Sequence, residues 1–155
     1  MNIEIKKMNK NHLEEIKENL ETEFDDFWNY NILKEELSSD SSKYIVAISK
    51  NEVIGFAGIK FALDQVDIMN IVTRKNYRNK GVGTLLLREL ISICKEFKAN
   101  SIFLEVSEDN EPAIKLYKKL GFENVGIRKN YYKDKNGIVM RYIAEDKWIP
   151  KNVEK

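Results

Sequence analysis

An apolar run, Ile68-Met69-Asn70-Ile71-Val72-Thr73, passes into Arg74-Lys75-Asn76-Tyr77-Arg78-Asn79-Lys80-Gly81-Val82-Gly83-Thr84 and then into Leu85-Leu86-Leu87. The pattern predicts a buried strand, a basic glycine-bearing loop and the first turns of an apolar-faced helix. Gly81 and Gly83 let the backbone turn sharply and approach a ligand with no side chain between. The N–H groups at a helix start have no intrahelical partner, and the helix dipole adds partial positive charge there. Arg74, Lys75, Arg78 and Lys80 add full positive charge to the same loop. The segment therefore predicts an anion hole, with a phosphate or pyrophosphate as its natural guest.

Two familiar phosphate loops do not fit. A P-loop needs Gly-Lys-Ser/Thr, whereas Gly83 runs directly into Thr84. A dinucleotide fingerprint needs a third glycine, where Leu86 stands. What remains is Arg78-x-x-Gly81-x-Gly83, which a solvated basic loop between strand and helix would also display.

At 155 residues the chain suits one domain with a sizeable core. Hydrophobic residues at 43% and charged residues at 33% describe a globular chain rather than a disordered one. The formal net charge of +1 gives no global steering toward nucleic acid or an anionic membrane, so neither is an expected partner. Cys94 is the only cysteine, which excludes an intrachain disulfide and a cysteine metal cluster, and its place in an apolar helical pattern predicts a buried thiol. No apolar run reaches the length of a membrane span, and Met1-Asn2-Ile3-Glu4-Ile5 lacks the apolar stretch of a signal peptide. A cytoplasmic location is expected. His12, the sole histidine, is read as a surface residue of a first helix, and no metal site is expected.

Along the chain, Ile3, Ile5 and Met8 predict a short opening strand, and Asn9 or Asn11 caps a helix carrying Leu13, Ile16 and Leu20. An acidic stretch with aromatics, residues 21–30, leads to a short helix through Leu33 and Leu37. Strands are predicted over residues 44–48, 53–61 and 65–73, with Gly55 and Gly58 marking a bulge or a closely approaching neighbour. The next helix sets Val82, Leu86, Leu90, Ile93 and Phe97 on one face, with Leu85 and Cys94 beside them. Residues 101–106 read as a central strand whose only charge is Glu105, so a parallel pair with a right-handed crossover follows. Pro112 opens another helix and Gly121 ends it. A hairpin of residues 122–132 and 138–143, joined across residues 133–137, closes the fold, and Trp148 tacks the tail to the surface. The boundaries expected are a domain over residues 1–145 and a tail over 146–155.

Several of these segments carry a resemblance. Leu104-Glu105-Val106, Asn110, Ala113, Leu116-Tyr117 and Leu120-Gly121-Phe122, with the Arg78-x-x-Gly81-x-Gly83 loop, resemble the GCN5-related N-acetyltransferase (GNAT) family. Met69-Asn70-Ile71, Arg128-Lys129-Asn130-Tyr131-Tyr132, Val139-Met140 and Phe27-Trp28 ahead of Glu36-Leu37 are similar to its RimI-type branch, which acetylates the N-terminal alanine of ribosomal protein S18. The resemblance implies an α/β (α+β) fold: a mixed, mostly antiparallel central sheet with a parallel splayed strand pair, flanked by about four helices. It implies acetyl-CoA as co-substrate, CoA as product, and an acceptor that is a protein N-terminus or, alternatively, a lysine, polyamine or other small amine. A non-catalytic acyl-CoA-binding module is the competing class. A monomer or weak homodimer is expected.

Site residues follow from the same resemblance. Arg78, Asn79, Lys80, Gly81, Val82, Gly83 and Thr84 would hold the pyrophosphate. Backbone groups of Ile71, Val72 and Thr73 would pair with the pantetheine amides as an added strand does, with a bulge near Asn70. Glu105 would be the general base; loss of solvation makes a lone carboxylate in an apolar strand a better proton acceptor, although an edge glutamate exposed to water fits the strand too. Tyr117 would be the general acid, or a tyrosine at the core boundary. Asn110 would hold the pantetheine arm, cap its helix, or do both. Trp28, Asn70, Glu105 and Tyr131 are the acceptor candidates. Glu23, Asp25 and Asp26 with Phe27, Trp28 and Tyr30 would draw a cationic amino terminus, or else the aromatics plug the core. The family's common proline after the third strand is replaced by Lys75-Asn76, which leaves the glycine pattern intact.

Overall fold

Glu4–Lys7 forms an edge strand, β1, in the computed structural model, which describes residues 2–24, 29–132 and 134–143. Asn9 then starts helix α1, Lys10–Ile16. Its side chain accepts from the His12 N–H while the His12 ring accepts from the Asn9 N–H, both at 3.0 Å. This reciprocal cap satisfies donors that the first helical turn leaves without intrahelical partners, and it occupies the sole histidine locally. A 3-10 turn, Lys17–Asn19, follows, and helix α2, Tyr30–Ser38, begins at the Asn29 cap.

The backbone gathers into two compact units, the first being Met1–Phe61 with Met69–Leu90. Here β1 pairs antiparallel with β2, Ser42–Ser49, and β2 with β3, Glu52–Ala62. Strand β4, Gln65–Thr73, lies beside β3. Lys50 and Asn51 turn the β2–β3 hairpin with φ of 52° and 62°, the left-handed pair that matches strand twist. The ladder slips at Ile54: Ala47 faces Gly55, yet Ile48 faces Val53. Beside this bulge a Cβ on Gly55 would stand 2.9 Å from the Val72 carbonyl oxygen, and one on Gly58 would stand 2.2 Å from the Tyr44 ring. The strand thus contains a bulge and close neighbours, where its glycines predict one or the other. Leu13, Ile16, Leu20, Phe24, Leu33, Val46, Val53, Phe56 and Val72 form one buried cluster. Burying each such large side chain contributes about 1.5–3 kcal/mol.

The second unit comprises Ala62–Ile68 and Ile91–Lys155. The first residues of β4 pair in parallel with β5, Ser101–Ser107, from Gln65 with Ser101 to Asp67 with Phe103. A parallel pair requires a crossover, and helix α3, Val82–Glu96, occupies that connection. Helix α4, Glu111–Lys119, follows β5 with Asn110 as cap and proline in its first turn. Gly121, at φ +109°, ends it; a Cβ there would lie 2.9 Å from the Tyr142 ring. Strand β6, Phe122–Tyr132, pairs antiparallel with β7, Lys135–Ile143, and β7 pairs antiparallel with β5. The fold is the expected α/β class, with a mostly antiparallel set of strands and, among the described residues, one parallel pair and four α-helices.

Two expectations need correction. The buried stripe of α3 is Val82, Leu86, Leu87, Leu90, Ile91 and Cys94, whereas Leu85 is exposed and Phe97 lies beyond the helix end, 55% exposed. The helix ends early because Lys98 turns left-handed (φ 57°) and the Ala99 N–H closes onto the Cys94 carbonyl at 3.1 Å. Strand β7 starts at Lys135, so residues 135–137 belong to the strand rather than the loop, with Lys135 opposite Tyr132 and Gly137 opposite Arg128. Trp148 and the tail lie outside the described residues.

Candidate active site

In the first unit, Ile71, Val72 and Thr73 end β4, with Val72 buried and its neighbours half-buried. A 3-10 turn, Lys75–Tyr77, leads to Arg78, and Asn79 and Gly81 then take φ of 62° and 83°. The Leu85 N–H donates to the Gly81 carbonyl at 3.1 Å, so α3 begins directly after Gly81. The amides of Val82, Gly83 and Thr84 are therefore in the first turn, where helix geometry supplies no acceptor. A Cβ on Gly83 would meet only Ile71 Cγ2, at 3.9 Å, and one on Gly81 would meet nothing within 4 Å. Packing within the chain does not demand a glycine at 83; an anion drawn against the backbone would. Arg78 and Lys80 are exposed beside it.

Arg74 does not belong to this set. It is 4% exposed, its guanidinium donating to the Val53 carbonyl through Nε (3.1 Å) and Nη2 (2.9 Å), stacking 4.5 Å from the Phe24 ring centroid and pairing with Glu23. Its backbone also bridges to Phe24. The loop's first cation is thus a structural clamp, because a buried guanidinium spends its donors on fixed acceptors. Glu23 is correspondingly tied to Arg74, and Phe24 is core, packed 5.8 Å from Phe56. Tyr30 donates to Glu14 and lies under the Lys17 ammonium. Asp25, Asp26, Phe27 and Trp28 lie outside the described residues.

Asn70 is half-buried in β4, and its Oδ1 accepts from the Tyr44 hydroxyl at 2.9 Å. Burial raises the Tyr44 phenol well above its ordinary range, with the Glu36 carboxylate adding to the effect. The tyrosine is a fixed neutral donor that orients the amide.

The second unit holds Glu105. Its side chain is 25% exposed, which rules out the freely solvated edge glutamate. Oε1 accepts from Arg128 Nη1 at 2.7 Å, while Oε2 is buried without a hydrogen-bond partner among the described residues. Arg128 also lies over Tyr131, 4.2 Å from its ring centroid. Tyr117 is half-buried on α4, its ring 6.1 Å from that of Phe122. Asn110 caps α4 by accepting from the Ala113 N–H at 3.3 Å. The second unit therefore carries Glu105, Asn110, Tyr117 and Tyr131, and the first carries Asn70 to Thr73 and the glycine loop. The Arg128 contact is what a reading of the residues misses: the arginine stands in a quoted motif, but cross-strand reach is invisible without the register.

Burial pushes the Cys94 thiol up to about 12, so it is inert as a nucleophile. Among the described residues no group of three or more His, Cys, Asp or Glu is arranged for a metal, and no helix is long and apolar enough to cross a membrane.

A glycine-bearing basic loop between a strand and a helix, followed in the chain by a parallel strand, is the architecture of a mixed α/β protein. Residues 8–122 match the acetyltransferase (GNAT) family, and the chain belongs to it. A Bacillus subtilis relative is 39% identical over 98 residues, 63% of this chain and 65% of its own length, so the matched segment spans just under two thirds of that protein. The ribosomal protein bS18-alanine N-acetyltransferase of Haemophilus influenzae is 38% identical over 112 residues, 71% of this chain and 74% of its own. The crystal structure of the ribosomal-protein-S18-alanine N-acetyltransferase from Escherichia coli superposes with a TM-score of 0.82 at 25% identity, over 94% of this chain and 98% of that one.

Proposed function

We propose that the chain is an acetyl-CoA-dependent N-acetyltransferase acting on a protein N-terminal α-amine, of the kind at the N-terminal alanine of ribosomal protein S18. The observation that carries this reading is Glu105, a half-buried carboxylate with one oxygen held by Arg128 and the other without a partner among the described residues. Relatives named for that reaction support the acceptor class.

The roles follow from the chemistry. At neutral pH an α-amine is largely an ammonium, and only its free-base form attacks a thioester carbonyl. Glu105 Oε2 takes the proton, directly or through water, as the C–N bond forms. As the C–S bond breaks, the Tyr117 hydroxyl gives a proton to the departing thiolate. The first-turn amides of α3, with Gly81, Gly83, Arg78, Asn79 and Lys80, hold the pyrophosphate. The ends of β4 at Ile71 to Thr73 offer backbone groups to pantetheine, and Asn110 contributes near it while capping α4. Asn70 and Tyr131 contact the acceptor.

The test compares native protein with Glu105→Gln and Tyr117→Phe in thiol release from acetyl-CoA with an Ala-ending peptide, alongside acetyl-CoA binding by calorimetry. Catalysis predicts a kcat loss of about 10²–10⁴-fold for Glu105→Gln with binding retained. Equal turnover in native and Glu105→Gln protein would remove the base assignment.

A further inference from the structure

We infer that Arg128 is a positioning residue for Glu105: it fixes Oε1 so that Oε2 is presented to the acceptor's proton, and Tyr131 in turn fixes Arg128. The inference rests on the acetyltransferase reading and concerns a residue to which that reading gives no role.

The register explains how a residue on the outer strand reaches a carboxylate on β5. In the β5–β7 ladder Glu105 faces Val139 and Ser107 faces Gly137; in the β7–β6 ladder Gly126 faces Val139 and Arg128 faces Gly137. Directly opposed residues share a sheet face, so Arg128, Gly137, Val139 and Glu105 lie on one face. That placement depends on the bulge. Asn124 faces Met140 while Gly126 faces Val139, leaving Val125 as the extra residue, with the Gly126 N–H donating to Asn124 Oδ1 at 3.1 Å. Were Val125 paired in regular register instead of bulged out, Arg128 would oppose Asn136 and project from the other face, since a one-residue slip reverses every side chain beyond it. Gly137, opposite Arg128, has no side chain to obstruct the path across β7 to Glu105.

A second irregularity sets the other contact. Between Arg128 and Tyr132 the register shifts again; Asn130 turns left-handed (φ 55°) and its N–H donates to Asn136 Oδ1 at 3.0 Å. The detour brings the Tyr131 ring to 4.2 Å from the guanidinium carbon while the tyrosine itself remains 47% exposed. A planar guanidinium can stack on a ring and donate to a carboxylate at once, which an ammonium cannot reproduce. Two breaks in β6 therefore build the series Tyr131, Arg128, Glu105, from an exposed ring to the proposed base.

The experiment measures acetyl-CoA and peptide kinetics, thermal midpoint and crystal structure for native protein, Arg128→Ala, Arg128→Lys and Tyr131→Ala. Arg128→Ala is expected to lower kcat by about tenfold or more, the scale of a misplaced catalytic group, with the acetyl-CoA KM within about twofold of native. Arg128→Lys should recover part of the loss, and Tyr131→Ala should leave Glu105 less ordered than in the native crystal. Native kcat in Arg128→Ala would overturn the inference, as would loss in Arg128→Ala explained wholly by melting and not lessened in Arg128→Lys. If the native protein turns over no amine, the acetyltransferase reading fails separately. The crystal structures then decide positioning: a Glu105 side chain unmoved in Arg128→Ala overturns it, and a displaced or multiply oriented one upholds it.

Discussion

Replacing Arg74 by alanine separates the two roles a cation in this loop can have. Nε and Nη2 both donate to the Val53 carbonyl, the guanidinium covers Phe24, and Nη1 reaches Glu23, which is 49% exposed. Charged hydrogen bonds contribute about 1.5–3 kcal/mol, and two that share one carbonyl contribute about 2–3 together. The stack on Phe24 adds about 0.5–2 kcal/mol. The partly exposed Glu23 arm adds about 0–1. The sum is about 2.5–6 kcal/mol, a range that spans what breaking a buried pair costs. Chains of this size lose about 2–4 °C per kcal/mol, so the thermal midpoint should fall by about 5–24 °C. Urea unfolding followed by far-UV circular dichroism gives the free energy, and an unchanged m-value shows that the two folded states are alike. At a temperature where both proteins are folded, acetyl-CoA affinity should stay within about twofold, well under the 1.4 kcal/mol of a tenfold change. An unchanged urea midpoint, or a large loss of acetyl-CoA affinity in folded Arg74→Ala, would refute the assignment of Arg74 as a clamp.

The loop glycines should divide the same way. Gly81→Ala strains a residue at φ +83° and should cost about 1–2 kcal/mol of stability by thermal melting. Gly83→Ala meets only Ile71 Cγ2 at 3.9 Å, so stability should hold or rise by up to about 1 kcal/mol, while calorimetry should show acetyl-CoA binding about tenfold weaker or worse. The Cys94 thiol, pushed up to about 12 by burial, is protonated in the folded state at pH values where the unfolded thiol, near about 8.5, ionises. Its contribution to stability is complete below about pH 8.5 and lost as pH rises toward the folded value; urea midpoints across that window should fall less steeply in Cys94→Ala. Tyr44, shifted in the same direction, should still be un-ionised by ultraviolet titration above about pH 10 in the folded protein, and Tyr44→Phe should lose about 1 kcal/mol with its Asn70 bond.

What is legible in the sequence follows the range of the interactions involved. The caps at Asn9 and Asn110, the strand–loop–helix run and the left-handed Gly121 are set by neighbours within a few residues, and all stand where local rules place them. The β3 glycines announce a bulge or a close neighbour, a choice the residues leave open, and the strand has both, since a missing Cβ is a local signal of crowding. Arg74 is misread because its partners, Val53 and Glu23, are distant in sequence; in the loop it resembles Arg78 and Lys80. Phe97 continues the heptad-like spacing but stands just past the helix end at Glu96, beside the left-handed Lys98 stop. Glu105 stands out as a lone charge in an apolar strand, whereas its Arg128 partner depends on one extra residue in β6 that no periodicity displays.

Transfer of an acetyl group from acetyl-CoA to a free protein N-terminus is tested most directly by incubating the native protein with peptides ending in Ala, Ser or Met, the same peptides with blocked N-termini, lysine-only peptides and polyamines. Thiol release is followed, and the acetylated atom is located by fragmentation mass spectrometry. The account predicts release with the free Ala peptide, the acetyl group on its α-nitrogen, and none with the blocked form. Acetyl groups confined to lysine side chains or polyamines would contradict the N-terminal acceptor, and silence across the whole panel with intact acetyl-CoA binding would contradict catalysis itself.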